Sequence, residues 1–101
     1  MTESTFKKME QIAKQALTKL DLPKQTHTRC LSILNNKRAK EILSERNVDG
    51  IIAGAIYIAA IQTENRLPQH RIADVMAISE TTIRRYYVMI VKALGIYEKR
   101  F

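Results

Sequence analysis

A chain of 101 residues with 46% apolar side chains is enough for one domain, residues 1–101, with a modest core. Seventeen basic against 10 acidic side chains leave a net charge of +7, a mild pointer to an anionic partner. The lone Cys30 excludes an internal disulfide, and with His27 and His70 isolated no zinc-ligand spacing exists, so no metal or other cofactor is expected.

The charge is spread along the chain. Residues 1–50 carry ten basic and six acidic groups and residues 51–101 carry seven and four, which argues against a long disordered arm. A reducing interior is the natural compartment for a single thiol. The opening MTESTFKKMEQ lacks the apolar core of a signal peptide. The longest apolar run, Ile51 to Ile61, would span roughly 16 Å as a helix. A bilayer core needs about 30 Å, so no membrane partner is expected.

With three glycines, two prolines and no β-branched alternation, the pattern predicts an all-α fold of five helices. The first runs from about Ser4 to Leu20, with Phe6, Met9, Ile12, Ala13, Ala16, Leu17 and Leu20 turned inward and lysines opposite. Asp21-Leu22-Pro23 breaks it. The second runs from about Lys24 to Arg46, with Cys30, Leu31, Leu34, Ile42 and Leu43 inward. Asn35 and Asn36 weaken its middle and invite a kink or a shift of face. Lys37, Arg38 and Lys40 cluster there, and Glu41 and Glu45 suggest an internally paired surface.

The third helix starts after Asn47, a good N-cap, and reaches about Thr63. Being apolar all round, it should be surrounded by the others, and Gly54, Ala55, Ala59 and Ala60 let neighbours come close. Tyr57 is expected at the core edge with its hydroxyl bonded. The fourth helix runs from about Pro68 to Ala77. The fifth extends from Glu80 to Leu94 and stops at Gly95, with Ile96 folding back onto Ile90 or Val91.

The stretch Pro68–Tyr87, PQHRIADVMAISETTIRRYY, has the layout of a helix-turn-helix, whose second helix enters the DNA major groove. Ile72, Met76, Ile78, Ile83 and Tyr86 are the inward positions, and Ala73 is small where the helices cross. Ser79 caps the second helix and Glu80 suits the positive end of its dipole. Such turns often carry Gly where this chain has Ala77, so a wider corner is expected.

Beyond these patterns, NVDGIIAGAIYIAA over 47–60 is similar to the third helix of the cyclin-like repeats in archaeal transcription factor B and general transcription factor IIB. IADV and TTIRRYY, within Gln69 to Tyr87, resemble the helix-turn-helix of the second, C-terminal repeat, and Lys92-Ala93-Leu94-Gly95 continues the match. The resemblance covers about Ala16 to Ile96. It implies a cyclin-like domain that contacts promoter DNA beside the TATA box together with TATA-binding protein, with RNA polymerase a further candidate partner. It places the chain in the cytoplasm of an archaeon, on the nucleoid, or in a eukaryotic nucleus.

Carried over by position, the resemblance makes Arg84 the base-edge contact and Thr81 a second base contact, although the family commonly has Val there. Thr82 matches the family's Thr, bonding a phosphate or capping the turn. Gln69, His70, Arg71 and Arg85 are the expected phosphate contacts, with Lys92 a further one. Val48 and Pro68 depart from the family's Pro and Thr. With one Cys there is no zinc ribbon, and there is no second repeat, so the chain is expected to be a single-repeat relative or a piece of a longer factor.

Other readings stand beside this one. Arg84 could be a solvated arginine paired with Glu80 one turn earlier, and the basic residues a plain charged surface. The domain could be a cyclin-box module that binds only proteins, or a dimeric helix-turn-helix regulator. No enzyme site is expected, because no base stands near a nucleophile or metal.

Overall fold

The computed structural model describes residues 3–43 and 47–96, with side-chain surroundings for 6–41 and 47–96. Those residues form six helices, α1 (Glu3–Lys19), α2 (Lys24–Leu34), α3 (Lys37–Leu43), α4 (Val48–Gln62), α5 (Gln69–Met76) and α6 (Glu80–Leu94). The expected all-α, cyclin-like plan holds, with one more helix than the sequence pattern predicted. The side chains of Ile42 and Leu43, and all of Glu45 and Arg46, lie outside the described residues.

The extra helix comes from Asn35 and Asn36. Asn35 ends α2, and the Asn36 side-chain oxygen accepts from the backbone N–H groups of Arg38 at 2.9 Å and Ala39 at 3.2 Å. A short amide side chain that satisfies the free donors of a new first turn competes with helix continuation. The anticipated kink is therefore a full break. Lys40 turns back over it, donating to Asn35 Oδ1 at 2.8 Å and lying 4.1 Å from the Phe6 ring centre. Its ammonium is thus engaged by an amide and a ring.

Helix α4 is the axis of the fold. Every residue from Gly50 to Ile61 is buried, as a helix apolar on all faces requires. It packs against α1, α2, α5 and α6, while α3 lies against α6 and α2. Asn47 caps it as expected, its side chain accepting from Gly50 N at 3.2 Å. Asn47 N in turn donates to the Tyr86 hydroxyl at 3.0 Å, so a side chain of α6 fixes the start of α4.

The C-terminal end of α4 is tied to α2 through Thr26, the buried polar side chain of the described core. Thr63 Oγ1 donates to Ala59 O at 2.8 Å and lies 2.6 Å from Thr26 Oγ1, which makes Thr26 the donor between them. Asn65 Nδ2 donates to Thr63 O at 2.7 Å, and Arg29 Nε to Gln62 Oε1 at 2.6 Å. These bonds supply the polar groups at this junction with partners.

The first helix departs from expectation at Ile12, which remains 38% exposed while Met9, Ala13, Ala16, Leu17 and Leu20 are buried. Tyr57 is buried, and its ring lies 4.9 Å from that of Tyr87 at 54°. Cys30 is fully buried on α2, and burial pushes its thiol up from 9.0 to about 12. Thiol reagents should therefore label Cys30 only as fast as the protein opens, which alkylation with and without urea would check. The unfolded chain loses this proton near pH 9 and the folded one near 12, so stability should fall as pH rises through that window. Rapid native-state labelling would contradict the packing.

Candidate nucleic-acid interface

Helices α5 and α6 meet across the turn Ala77-Ile78-Ser79, and their inner faces hold Ile72, Ala73, Met76, Ile83, Tyr86 and Ile90 in the core. Ile78 is partly buried against the same cluster. The inward pattern read from the sequence is the observed one. Ser79 Oγ accepts from Thr82 N at 3.1 Å and lies 2.9 Å from Thr82 Oγ1, so the capping expected of Ser79 is present.

Ala77 makes the turn where glycine is usual. This residue itself adopts the left-handed conformation, φ 56° and ψ 44°, and Ile78 N donates to Ala73 O at 3.1 Å. Six-to-one closure of this kind is the usual helix ending, with alanine in the place glycine prefers. A left-handed L-residue costs about 1–2 kcal/mol, partly offset by the unfolded-chain entropy that glycine would add. Ala77→Gly should accordingly raise stability by about 0.5–1 kcal/mol in urea unfolding. A lower midpoint would contradict this geometry.

At the far end, Gly95 is left-handed and Ile96 N donates to Val91 O at 3.0 Å, closing α6 as expected. Tyr86 is buried and Tyr87 only partly so. These anchors leave Thr81, Arg84, Arg85, Val88 and Lys92 exposed on the outer side of α6. Among the described residues no carboxylate lies within ion-pair distance of Arg84 or Arg85, Glu80 included. Arg29 differs, being held by Gln62.

The remaining site residues sit at the start of α5. His70 and Arg71 are exposed, and Gln69 is half-buried. Thr82 is half-buried against the cap residue Ser79, and its hydroxyl can still donate outward when Ser79 supplies the hydrogen between the two oxygens. Arg71 shares a shallow cleft with Arg66, Asn65 and Asp21, where the α1–α2 and α4–α5 loops meet. Arg66 was not singled out from the sequence; its position in the loop before Pro68 was the available signal. The resulting surface has two exposed guanidinium groups on a helix whose opposite face is locked into the core, with further cationic side chains at the entry to α5. No group of three or more His, Cys, Asp or Glu suited to a metal occurs among the described residues. No helix there is long and apolar enough to cross a membrane.

Comparison with known proteins gives this arrangement a lineage. A family model described as the transcription factor TFIIB repeat matches residues 2–93. Transcription initiation factor IIB of Methanococcus maripaludis is 35% identical over 79 residues, covering 78% of this chain and 23% of that protein. The protein of the same name from Aeropyrum pernix is 31% identical over 93 residues, 92% of this chain and 29% of its own length. That of Methanosarcina mazei is 36% identical over 77 residues, 76% and 23% respectively. The chain thus spans about a quarter of the length of the curated relatives it matches. A match from residue 2 to residue 93 of 101 establishes that the chain belongs to the TFIIB repeat family.

Proposed function

We propose that this chain is the DNA-binding module of a transcription initiation factor B-like protein. It contacts duplex promoter DNA next to the TATA box through α5 and α6, in company with TATA-binding protein. The observation that carries this reading is the outer side of α6. Arg84 and Arg85 stand exposed there, without a carboxylate partner among the described residues, on a helix fixed from behind by Ile83, Tyr86 and Ile90.

An exposed α-helix fits the major groove, and a guanidinium presents paired donors to guanine O6 and N7. Arg84 is the base reader and Thr81, one turn earlier, a second base contact. Arg85, Arg71, His70, Gln69 and Thr82 bond phosphates, which positions the helix without reading sequence. Arg66 joins them from the adjoining cleft. The role is one of binding, with no reaction assigned, and its place is the chromosome.

A single module of this size buries only about 600–1,000 Å² on DNA. Alone it should bind weakly and lose affinity steeply with salt. A gel shift on a randomised duplex pool, with and without TATA-binding protein, tests the proposal. Selection of a defined sequence, stronger with that protein present, is the expected result. An absence of retained duplex under either condition would overturn it and favour a module that binds only proteins. A sharp footprint at nanomolar concentration from a proven monomer alone would remove the partner from the proposal.

A further inference from the structure

Among the described residues the exposed large hydrophobic side chains are Ile12 and Val88, at 38% and 37%. Ile12 lies on α1, beside a groove formed with Val75 and Met76. Val88 has a different setting. Positions 81, 85, 88 and 92 of α6 follow one another at helical spacing, so Val88 stands in the middle of the outward stripe. Arg84 and Arg85 lie one turn before it and Lys92 one turn after, all exposed, while Ile83 and Ile90 occupy the buried opposite face.

A branched apolar group at the centre of a cationic stripe cannot bond a phosphate. On a helix seated in the major groove it faces base edges, where thymine C5-methyl is the apolar feature that only one base displays. Four residues separate Val88 from Arg84, about 6 Å along the helix axis, or roughly two base-pair steps.

We propose that Val88 is a specificity-determining residue that packs its isopropyl group against a thymine methyl, within about two base pairs of the guanine read by Arg84. The inference rests on the reading of α5 and α6 as a DNA-binding unit. It assigns the chain a thymine preference distinct from any that the Thr81 methyl supplies at the start of the helix.

The test uses the duplex selected from the randomised pool, under the conditions that selected it. Each thymine of the site is replaced in turn by deoxyuridine, which removes one methyl and leaves every hydrogen-bonding group. Wild type should bind about fourfold more weakly at one such position, the loss expected for one buried methyl-sized group. Val88→Ala should bind the thymine and deoxyuridine duplexes alike, with an unchanged circular dichroism spectrum because the side chain is exposed. If wild type ignores every replacement while Arg84→Ala still loses the site, Val88 does not read thymine and the DNA-binding reading stands. If Val88→Ala weakens both duplexes but keeps the fourfold difference, the methyl is read elsewhere and the proposal is overturned. If wild type retains no duplex at all, both fall together.

Discussion

Replacing Arg84 with alanine is expected to weaken binding to the selected duplex by about 5- to 150-fold, corresponding to roughly 1–3 kcal/mol for a bidentate base contact. The loss should be accompanied by a relaxed preference at one base pair. Arg84 is exposed and makes no bond to another described residue, so the substitution should leave the unfolding midpoint where it was. Arg85→Ala should behave differently, lowering affinity for all duplexes and reducing the salt slope by about 0.9 for each phosphate the side chain neutralises in wild type. Titrations of both variants against selected and scrambled duplexes at two or more salt concentrations separate base reading from phosphate attraction. Equal behaviour of Arg84→Ala and wild type would mean that the outer side of α6 is a solvated surface, and the interaction-module alternative would gain. A uniform loss for Arg84→Ala would move it into the phosphate-contacting group.

Much of the fold was legible because its strongest elements answer to local chemistry. Asn47, Ser79 and Gly95 stand where helix ends demand a side-chain acceptor or a left-handed residue, and each does that job. The all-apolar stretch of α4 could satisfy itself only at the centre. What escaped was decided by alternatives of similar cost. At Asn35-Asn36 a kinked helix and a broken one differ by a few side-chain bonds, and Asn36 tipped the choice to a break. Ala77 follows the same logic. The sequence marked Ala77 as a missing glycine without showing its backbone conformation, and packing of Ile72, Met76 and Ile83 into one core outweighs the cost of a left-handed alanine. Ile12 was misplaced because periodicity marks an apolar stripe without showing how wide a strip the neighbouring helices cover.

The candidate site was legible in type and less so in arrangement. Spacing put Thr81, Thr82, Arg84 and Arg85 on the outer side of α6, and of these only Thr82 is half-buried. Whether Arg84 would fold back onto Glu80 depended on rotamers that the sequence does not fix, and the structure shows no such pair among the described residues. Arg66 and Val88 were missed for different reasons. The first lies on a loop, outside any periodic pattern; the second is apolar, and a search for polar groups that contact DNA passes over it.

The close approach of α6 to α4 requires a residue whose sequence signal was only its small size. Gly54 lies where α4 crosses α6, and a Cβ built there would come within 2.9 Å of Tyr87 N and 3.1 Å of Tyr86 C. Both are backbone atoms, so no rotamer change relieves the contact and the two helices must separate. Gly50, one turn earlier, faces the Tyr86 ring instead, and displacing that ring would threaten its bond to Asn47 N. Helix propensity alone would favour alanine at position 54 by about 1 kcal/mol. Overpacking of a close crossing costs about 1–3 kcal/mol and more where backbone must move. Because backbone must move, the upper cost of about 3 kcal/mol applies, and the expected outcome for Gly54→Ala is a net loss of about 2 kcal/mol in urea unfolding after the propensity gain of about 1. It should also weaken binding to the selected duplex beyond what the unfolded fraction explains, because in the proposed interface Arg84 and Arg71, on separate helices, would engage one duplex only while α6 keeps its angle to α5. Gly50→Ala is the comparison, since its strain is absorbed first by a ring. A Gly54→Ala protein as stable as wild type would mean that α4 and α6 do not approach as closely as this structure has them, and the rigid placement of the outer side of α6 would lose its physical basis.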